Sequence, residues 1–336
     1  MKRSLRVLGG TLLVLVLLGV LGWGVLALLY AGPSPPWLSK ALALLYGAGG
    51  LLALIALRPL LRGALVVALG FAAVLVWWST LRPSNDREWS ADNLRTPWAE
   101  QDGDLLTVHD VRNFDYRSET DFTARYEDRT VDLSKLRGVD LFLVYWGSPL
   151  IAHTIMSWDF EGSPPIAISI ETRKEGKEQY SAIAGFFRQY EILYVVADER
   201  DLVRLRTNYR GENVFLYRLN VPLDVARALL LDYVATINGL RDRPEWYNAL
   251  TENCTTTIRM HTRRINNAGS FDWRMLANGY LDEMLYERGL VYTGMPFAEL
   301  KTMSSVDWRG KAADQDPAFS ERIREGLPDP RTASAP

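Results

Sequence analysis

The chain of 336 residues has one cysteine and three histidines. A single thiol makes no internal disulfide, and a cysteine-rich zinc module is excluded. Acid is missing from residues 1–82, which hold seven of the 38 Lys and Arg side chains and none of the 40 Asp and Glu. The remainder carries 31 basic against 40 acidic groups, a net charge of −9. No basic surplus faces a phosphate backbone, so an electrostatically driven nucleic-acid binder is excluded. Long uncharged runs in the acid-free part exclude a wholly soluble enzyme. What remains is a membrane-anchored chain with one mildly acidic globular domain.

No charge falls between Arg6 and Lys40, and Val7 to Tyr30 is almost wholly apolar. A spanning helix needs about 20 such residues. The basic start (Lys2, Arg3, Arg6) also suits a cleaved signal. The run is long for one, however, and Leu29-Tyr30-Ala31 lacks a small-x-small cleavage pattern, so an uncleaved anchor is expected. No cysteine follows the run, which argues against a lipoprotein signal. Two further uncharged stretches, Ala41–Leu57 and Gly63–Leu81, make three spans, the last ending on Trp77 and Trp78 where an interfacial aromatic belt would sit. Lys2, Arg3 and Arg6 precede span one, and Arg58 and Arg62 lie between spans two and three, against Lys40 alone between one and two. By the positive-inside rule the N-terminus is cytoplasmic. An odd number of spans then sends everything after Arg82 to the periplasm or cell exterior.

The expected organisation is a membrane anchor over 1–82, a connector over 83–100, a catalytic-sized domain over 101–311 and a disordered, Pro-rich tail over 312–336. Strand-like segments come first: Leu105–Val111, Val139–Trp146, a hairpin of Ile151–Phe160 with Ile166–Arg173, Ile192–Ala197 and Val214–Leu219. Helical patterns follow at Pro222–Leu240, Glu245–Leu250, Cys254–Asn267 and Asp272–Arg288. Strands then helices, without repeats, indicate an α+β domain rather than alternating βαβ units.

Cys254 is the residue with the most chemical promise. Asn253 is a good N-cap, which places Cys254 at the first helical position. There the helix dipole and unpaired N–H groups favour a thiolate, and the same groups can hold an oxyanion. A buried inert thiol is the competing reading. His261 lies seven residues on, about 10 Å along the helix axis, too far for a direct hydrogen bond. That geometry also disfavours a metal site made of His153, Cys254 and His261. His109, beside Asp110, reads as a solvated strand-end residue. His153 sits in a strand and shares a face with Ile155 and Ser157. A hairpin turn near residues 162–163 sets it opposite Glu171 or Thr172, with Ser169 on the same face as Glu171. A carboxylate there would hold the imidazole tautomer, and a surface pair with an arginine would serve Glu171 as well. Arg200, Arg204, Arg206 and Arg210, interspersed with Asp198, Glu199 and Asp201, read as a solvated face.

Several blocks together resemble one family. Tyr145-Trp146-Gly147, then Ile151-Ala152-His153-Thr154, then Ile168-Ser169-Ile170-Glu171-Thr172-Arg173-Lys174-Glu175 are similar to the Lnb-type N-terminal periplasmic domain. So are Asn113-Phe114-Asp115-Tyr116, Gly185-Phe186-Phe187-Arg188-Gln189-Tyr190-Glu191, Thr207-Asn208-Tyr209-Arg210-Gly211 and Trp246-Tyr247-Asn248-Ala249-Leu250-Thr251-Glu252-Asn253-Cys254-Thr255-Thr256. The likeness runs from about residue 95 to 265. It implies a circularly permuted papain-like (NlpC-type) thiol fold, as in lecithin-retinol acyltransferase, with His before Cys in the chain. It carries over Cys254 as nucleophile, His153 as base and, more weakly, Glu171 as orienting residue. It also implies acyl transfer from a membrane phospholipid to the N-terminal amine of a lipoprotein, with the lipid bilayer as partner, no cofactor and no nucleic acid. The same dyad would serve a cell-wall amidase or peptidase. An anchored binding module without catalysis would need no dyad at all.

Overall fold

Three helices long and apolar enough to cross a membrane open the chain. They are α1 (Lys2–Tyr30), α2 (Pro36–Ala56) and α3 (Leu60–Thr80). The structure, a computed structural model, describes residues 2–331 except Lys177, Leu250, Glu252, Asn253, residues 267–271 and Leu276; the side chains of Lys2, Arg3, Leu5, Arg6, Cys254, Thr255 and Asn266 also lie outside the description. The chain divides into two units, of which the first comprises Met1–Pro83, Tyr180–Tyr190 and Trp246–Asn248.

Within that first unit glycines let the helices approach. A Cβ on Gly63 would stand 2.5 Å from the Ala53 carbonyl oxygen, and one on Gly50 would meet Leu21 at 2.3 Å. Lipid tails are as apolar as leucine, so close packing through small residues, not hydrophobicity, holds such helices together. Segment Tyr180–Tyr190 joins them through Phe187, which is buried with its ring 5.9 Å from Trp23, 6.0 Å from Tyr30 and 6.3 Å from Trp78. Arg188 lies 4.9 Å over the Trp78 ring and donates from Nη1 to the Trp78 carbonyl at 2.8 Å. The Trp77–Trp78 end of α3, expected at the interface, is therefore where a distant segment docks.

The second unit is built on a sheet of eight strands. In chain order its strands and the small β3–β4 ladder are β1 (Trp98–Asp102), β2 (Leu105–Arg112), β3 (Asp115–Tyr116), β4 (Phe122–Thr123), β5 (Tyr126–Asp132), β6 (Leu136–Tyr145), β7 (His153–Phe160), β8 (Ser163–Arg173), β9 (Glu191–Ala197) and β10 (Asn213–Arg218). The main order is β1-β2-β9-β8-β7-β6-β10, with β5 also on β2, and only β2–β9 is parallel. The helices are α4 (Glu199–Arg204), α5 (Leu223–Asp242), α6 (Cys254–Asn266), α7 (Leu281–Glu287), α8 (Phe297–Ser304), α9 (Asp307–Ala312) and α10 (Phe319–Arg322). This is the mixed α+β architecture expected, behind three apolar helices.

Strand alternation divides the sheet into two faces. Phe142, Val144, Ile155, Ala167, Leu193 and Val195 form one, packed with Leu202 and Val203 of α4, Phe319 of α10 and Ile323. Met156, Trp158 and Tyr194 belong to the other. There Trp158 donates to the Ala226 carbonyl of α5 at 2.9 Å, and Tyr194 meets His261 of α6 at 2.7 Å.

Four expectations need correction. The tail is not disordered through its described part, because Phe319 and Ile323 are fully buried and Arg324 ties it to β6 and α4. The connector is not loose. Its Arg87 pairs with Glu191 at 2.7 Å, Trp89 stacks under Arg173 at 4.2 Å, and Trp98–Glu100 already form β1. Trp246–Asn248 is not helical, since the Tyr247 N–H is spent on the Tyr190 carbonyl. The expected helix Asp272–Arg288 is broken into turns at Trp273–Met275 and Asn278–Tyr280 before α7. Gly279 there presses so close that a Cβ would come 2.0 Å from the Pro149 carbonyl oxygen.

Candidate functional site

His153 is the first residue of β7, and the chain ahead of it is clamped. The Asn278 side chain accepts from the Ala152 N–H at 2.9 Å and donates to the Ala152 carbonyl, replacing a missing strand neighbour. The hairpin pairs Ile155 with Ser169, and that register continued sets position 153 opposite 171, as the turn position implied. His153 Nε2 lies 2.6 Å from Ser169 Oγ and 3.2 Å from Glu171 Oε1. The Ser169 hydroxyl donates to Glu171 Oε1 at 2.6 Å, so its oxygen accepts from Nε2–H. This network assigns the tautomer: Nε2 carries a proton, and Nδ1 is the nitrogen able to take one.

Arg206 completes the chain. Its Nη2 donates to Glu171 Oε1 at 2.7 Å and its Nη1 to Glu212 at 3.3 Å. Burial alone would raise the Glu171 carboxyl, but the imidazole of His153 and the guanidinium of Arg206 outweigh it and hold it well below the usual carboxylate range. A depressed carboxyl stabilises the fold fully above its unfolded pKa, near 4.3, and that contribution is lost only as pH falls through the folded value. At neutral pH the Glu171 carboxylate is therefore charged.

Arg206 escaped the sequence reading, which took Arg200 to Arg210 for a solvated face. Arg204 is fully buried, against Asp115 at 2.9 Å, and Arg206 is almost so. Their acidic partners come from distant strands, so local charge alternation did not reveal them. After α4 the helix widens at Leu205–Arg210 into π winding, a feature frequent at functional sites, and ends at Gly211 with φ of 64°. Asn278 was missed too, since it lay inside the expected long helix.

Cys254 opens α6, as expected from the sequence. Its thiol and the expected cap Asn253 lie outside the described residues. The helix packs on the face of the sheet opposite the His153–Glu171 pair. His261 there is fully buried, receives the Tyr194 hydroxyl on Nε2 and donates from Nδ1 to Asp232 at 2.5 Å. Burial pushes its imidazole below the ordinary value, and Asp232 only partly opposes this, so it is a neutral pin for the helix. The structure thus separates His153 from His261. Residues Ile258, Arg259, Thr262 and Ile265 of α6 share the walls of one cavity with Leu141 and Met156 of the sheet.

These residues belong to one matched stretch. Residues 122–279 match the Lnb N-terminal periplasmic domain family. No curated protein and no solved structure matches the chain. The Lnb match contains His153, Ser169, Glu171, Arg206, Cys254 and Asn278, and begins well after the three apolar helices. The match to a periplasmic domain family and the three apolar helices fit a membrane-anchored protein.

Proposed function

We propose that the chain is a membrane-anchored thiol acyltransferase with a permuted papain-like domain, held in the bacterial inner membrane with its N-terminus cytoplasmic. The cationic residues at the start of α1 and at the α2–α3 junction favour that orientation. The observation that carries the reading is the Ser169–Glu171–Arg206 network, which fixes His153 with Nδ1 as its basic edge. His153 takes the Cys254 proton. The thiolate attacks the carbonyl carbon of a phospholipid ester, forming the C–S bond. As the ester C–O bond breaks, the imidazolium proton passes to the departing lysophospholipid oxygen. An amine, the N-terminal amine of a lipoprotein, then attacks the thioester. His153 accepts its proton, an amide forms, and the thiolate leaves. Tethering supports this chemistry, because donor and acceptor are both confined to the bilayer surface.

Incubation with phospholipid carrying a labelled acyl group tests the reading. Hydroxylamine-sensitive label on the protein, passed to an added lipoprotein amine, is the expected result. Release of label only to water, or digestion of peptidoglycan, would instead identify a cysteine hydrolase. No label on Cys254 and no turnover would leave only a binding module.

Glu171→Gln separates orientation from charge. The amide keeps the shape but removes the charge that stabilises the imidazolium. Acyl transfer should fall about 10–100-fold, with the alkaline limb of the pH–rate profile moved to lower pH. An unchanged profile would show that Glu171 does not act on His153.

A further inference from the structure

A cavity of about 550 Å³ lies on the α6 face of the sheet, enclosed by β6, β7, α5, α6 and α7. Its walls are almost wholly apolar: Leu141, Met156, Leu229, Ile258 and Met284 are representative, and among the described residues Arg259, Thr262 and Arg288 supply the only polar side chains. Neither the Glu171 network nor His261 uses it. Ile258 stands one turn, about 5.4 Å, along α6 from Cys254, and Ile265, which also lines the cavity, is two turns further.

We infer that this cavity holds the fatty acyl chain that Cys254 carries between donor and acceptor. The inference rests on the acyltransferase reading and adds to it the chemical class and size of the group accepted. A methylene needs roughly the volume of one water, about 30 Å³, so the space fits one chain on the order of sixteen carbons. Each buried methylene contributes about 0.8 kcal/mol, which gives long chains a gradient that a short chain lacks. The cavity begins one helical turn past position 254 and follows the same helix. An acyl group bonded to sulfur at the start of α6 can thus thread along Ile258 toward Met156 and Met284. A headgroup, a sugar or a peptide strand would leave its polar groups unpaired against these walls.

Two measurements on the full-length protein test this. In the first, a phospholipid with a diazirine near the methyl end of a sixteen-carbon chain is photolysed with the protein in nanodiscs, and the cross-links are mapped. Adducts at Met156, Leu229 or Met284 support the proposal, and adducts confined to α1, α2 and α3 overturn it. In the second, thioester formation is compared for donors of about sixteen and about eight carbons. The wild type should prefer the long chain at least tenfold. Met284→Trp or Leu229→Trp, which fill the cavity, should abolish that preference while leaving the short donor active. Equal use of both donors by the wild type would overturn the chain pocket while leaving acyl transfer intact. If no donor gives a thioester, the acyltransferase reading fails, and the cross-link map alone decides whether the cavity takes lipid chains.

Discussion

Alanine at position 254 is expected to remove the proposed acyl-enzyme altogether and to lower transfer by about 10⁴-fold or more. A nucleophile and its base act as a unit, so removing either loses nearly all the covalent chemistry and leaves only what binding contributes. Cys254 is the chain's one thiol, so no neighbouring sulfur can substitute. Serine at the same position tests the basis of the effect. Its hydroxyl is far less acidic than a thiol, and helix-terminal stabilisation of an anion gains little from it. Both variants should melt like the wild type, which separates lost chemistry from lost fold. Retention of labelled, hydroxylamine-sensitive protein in Cys254→Ala would place the acyl group elsewhere.

Arg324→Ala is expected to destabilise the second unit by about 3–5 kcal/mol. Arg324 reaches from the C-terminal segment to Asp140 Oδ2 at 2.8 Å and Glu199 Oε1 at 2.6 Å, and both carboxylates are fully buried. Burial alone would lower the guanidinium's pKa, but Glu199 and Asp140 outweigh that and raise it. The Ser157 hydroxyl also donates to Glu199, so the cluster joins β6, β7, α4 and the tail. Without the arginine two carboxylates stand in the interior beside each other. Among the described residues, Arg331 and Arg218 then remain near Asp140, at 3.4 and 3.6 Å. For a unit of this size the loss corresponds to a fall in Tm of about 10 °C. Arg322→Ala, two residues earlier and exposed, should leave Tm unchanged, because its partners Asp316 and Glu325 stay solvated without it. A shift under about 2 °C for Arg324→Ala would contradict the structural role given to the tail.

The part of the site that could be read from the residues is the part set by short-range geometry. Strand periodicity puts His153, Ser169 and Glu171 on one face, and a two-strand hairpin leaves little freedom in register, so their meeting followed from the position of one turn. The start of α6 at Cys254 was likewise local, and the three membrane helices announced themselves by length and absence of charge. What stayed hidden depends on distant partners. Arg206 and Arg324 sit in sequences whose alternating charge or polar composition suits solvent. They are buried because carboxylates such as Glu171 of β8 and Asp140 of β6, far away in the chain, wait for them. Asn278 clamps Ala152 across 126 residues of chain. Phe187 looks like a loop aromatic until Trp23, Tyr30 and Trp78 surround it. In each case the deciding energy is a tertiary contact that no window of neighbouring residues contains.

The proposed pairing, in which His153 makes the lone thiol anionic, is read out by the alkylation of Cys254 as a function of pH. Because the chain has no second cysteine, the rate of reaction with iodoacetamide reports on one sulfur atom. The wild-type rate should rise with an apparent pKa well below the free-thiol value of about 8.5, and His153→Ala should move it back toward that value. The same ordinary pKa in both proteins, or a thiol that reacts in neither, would contradict it.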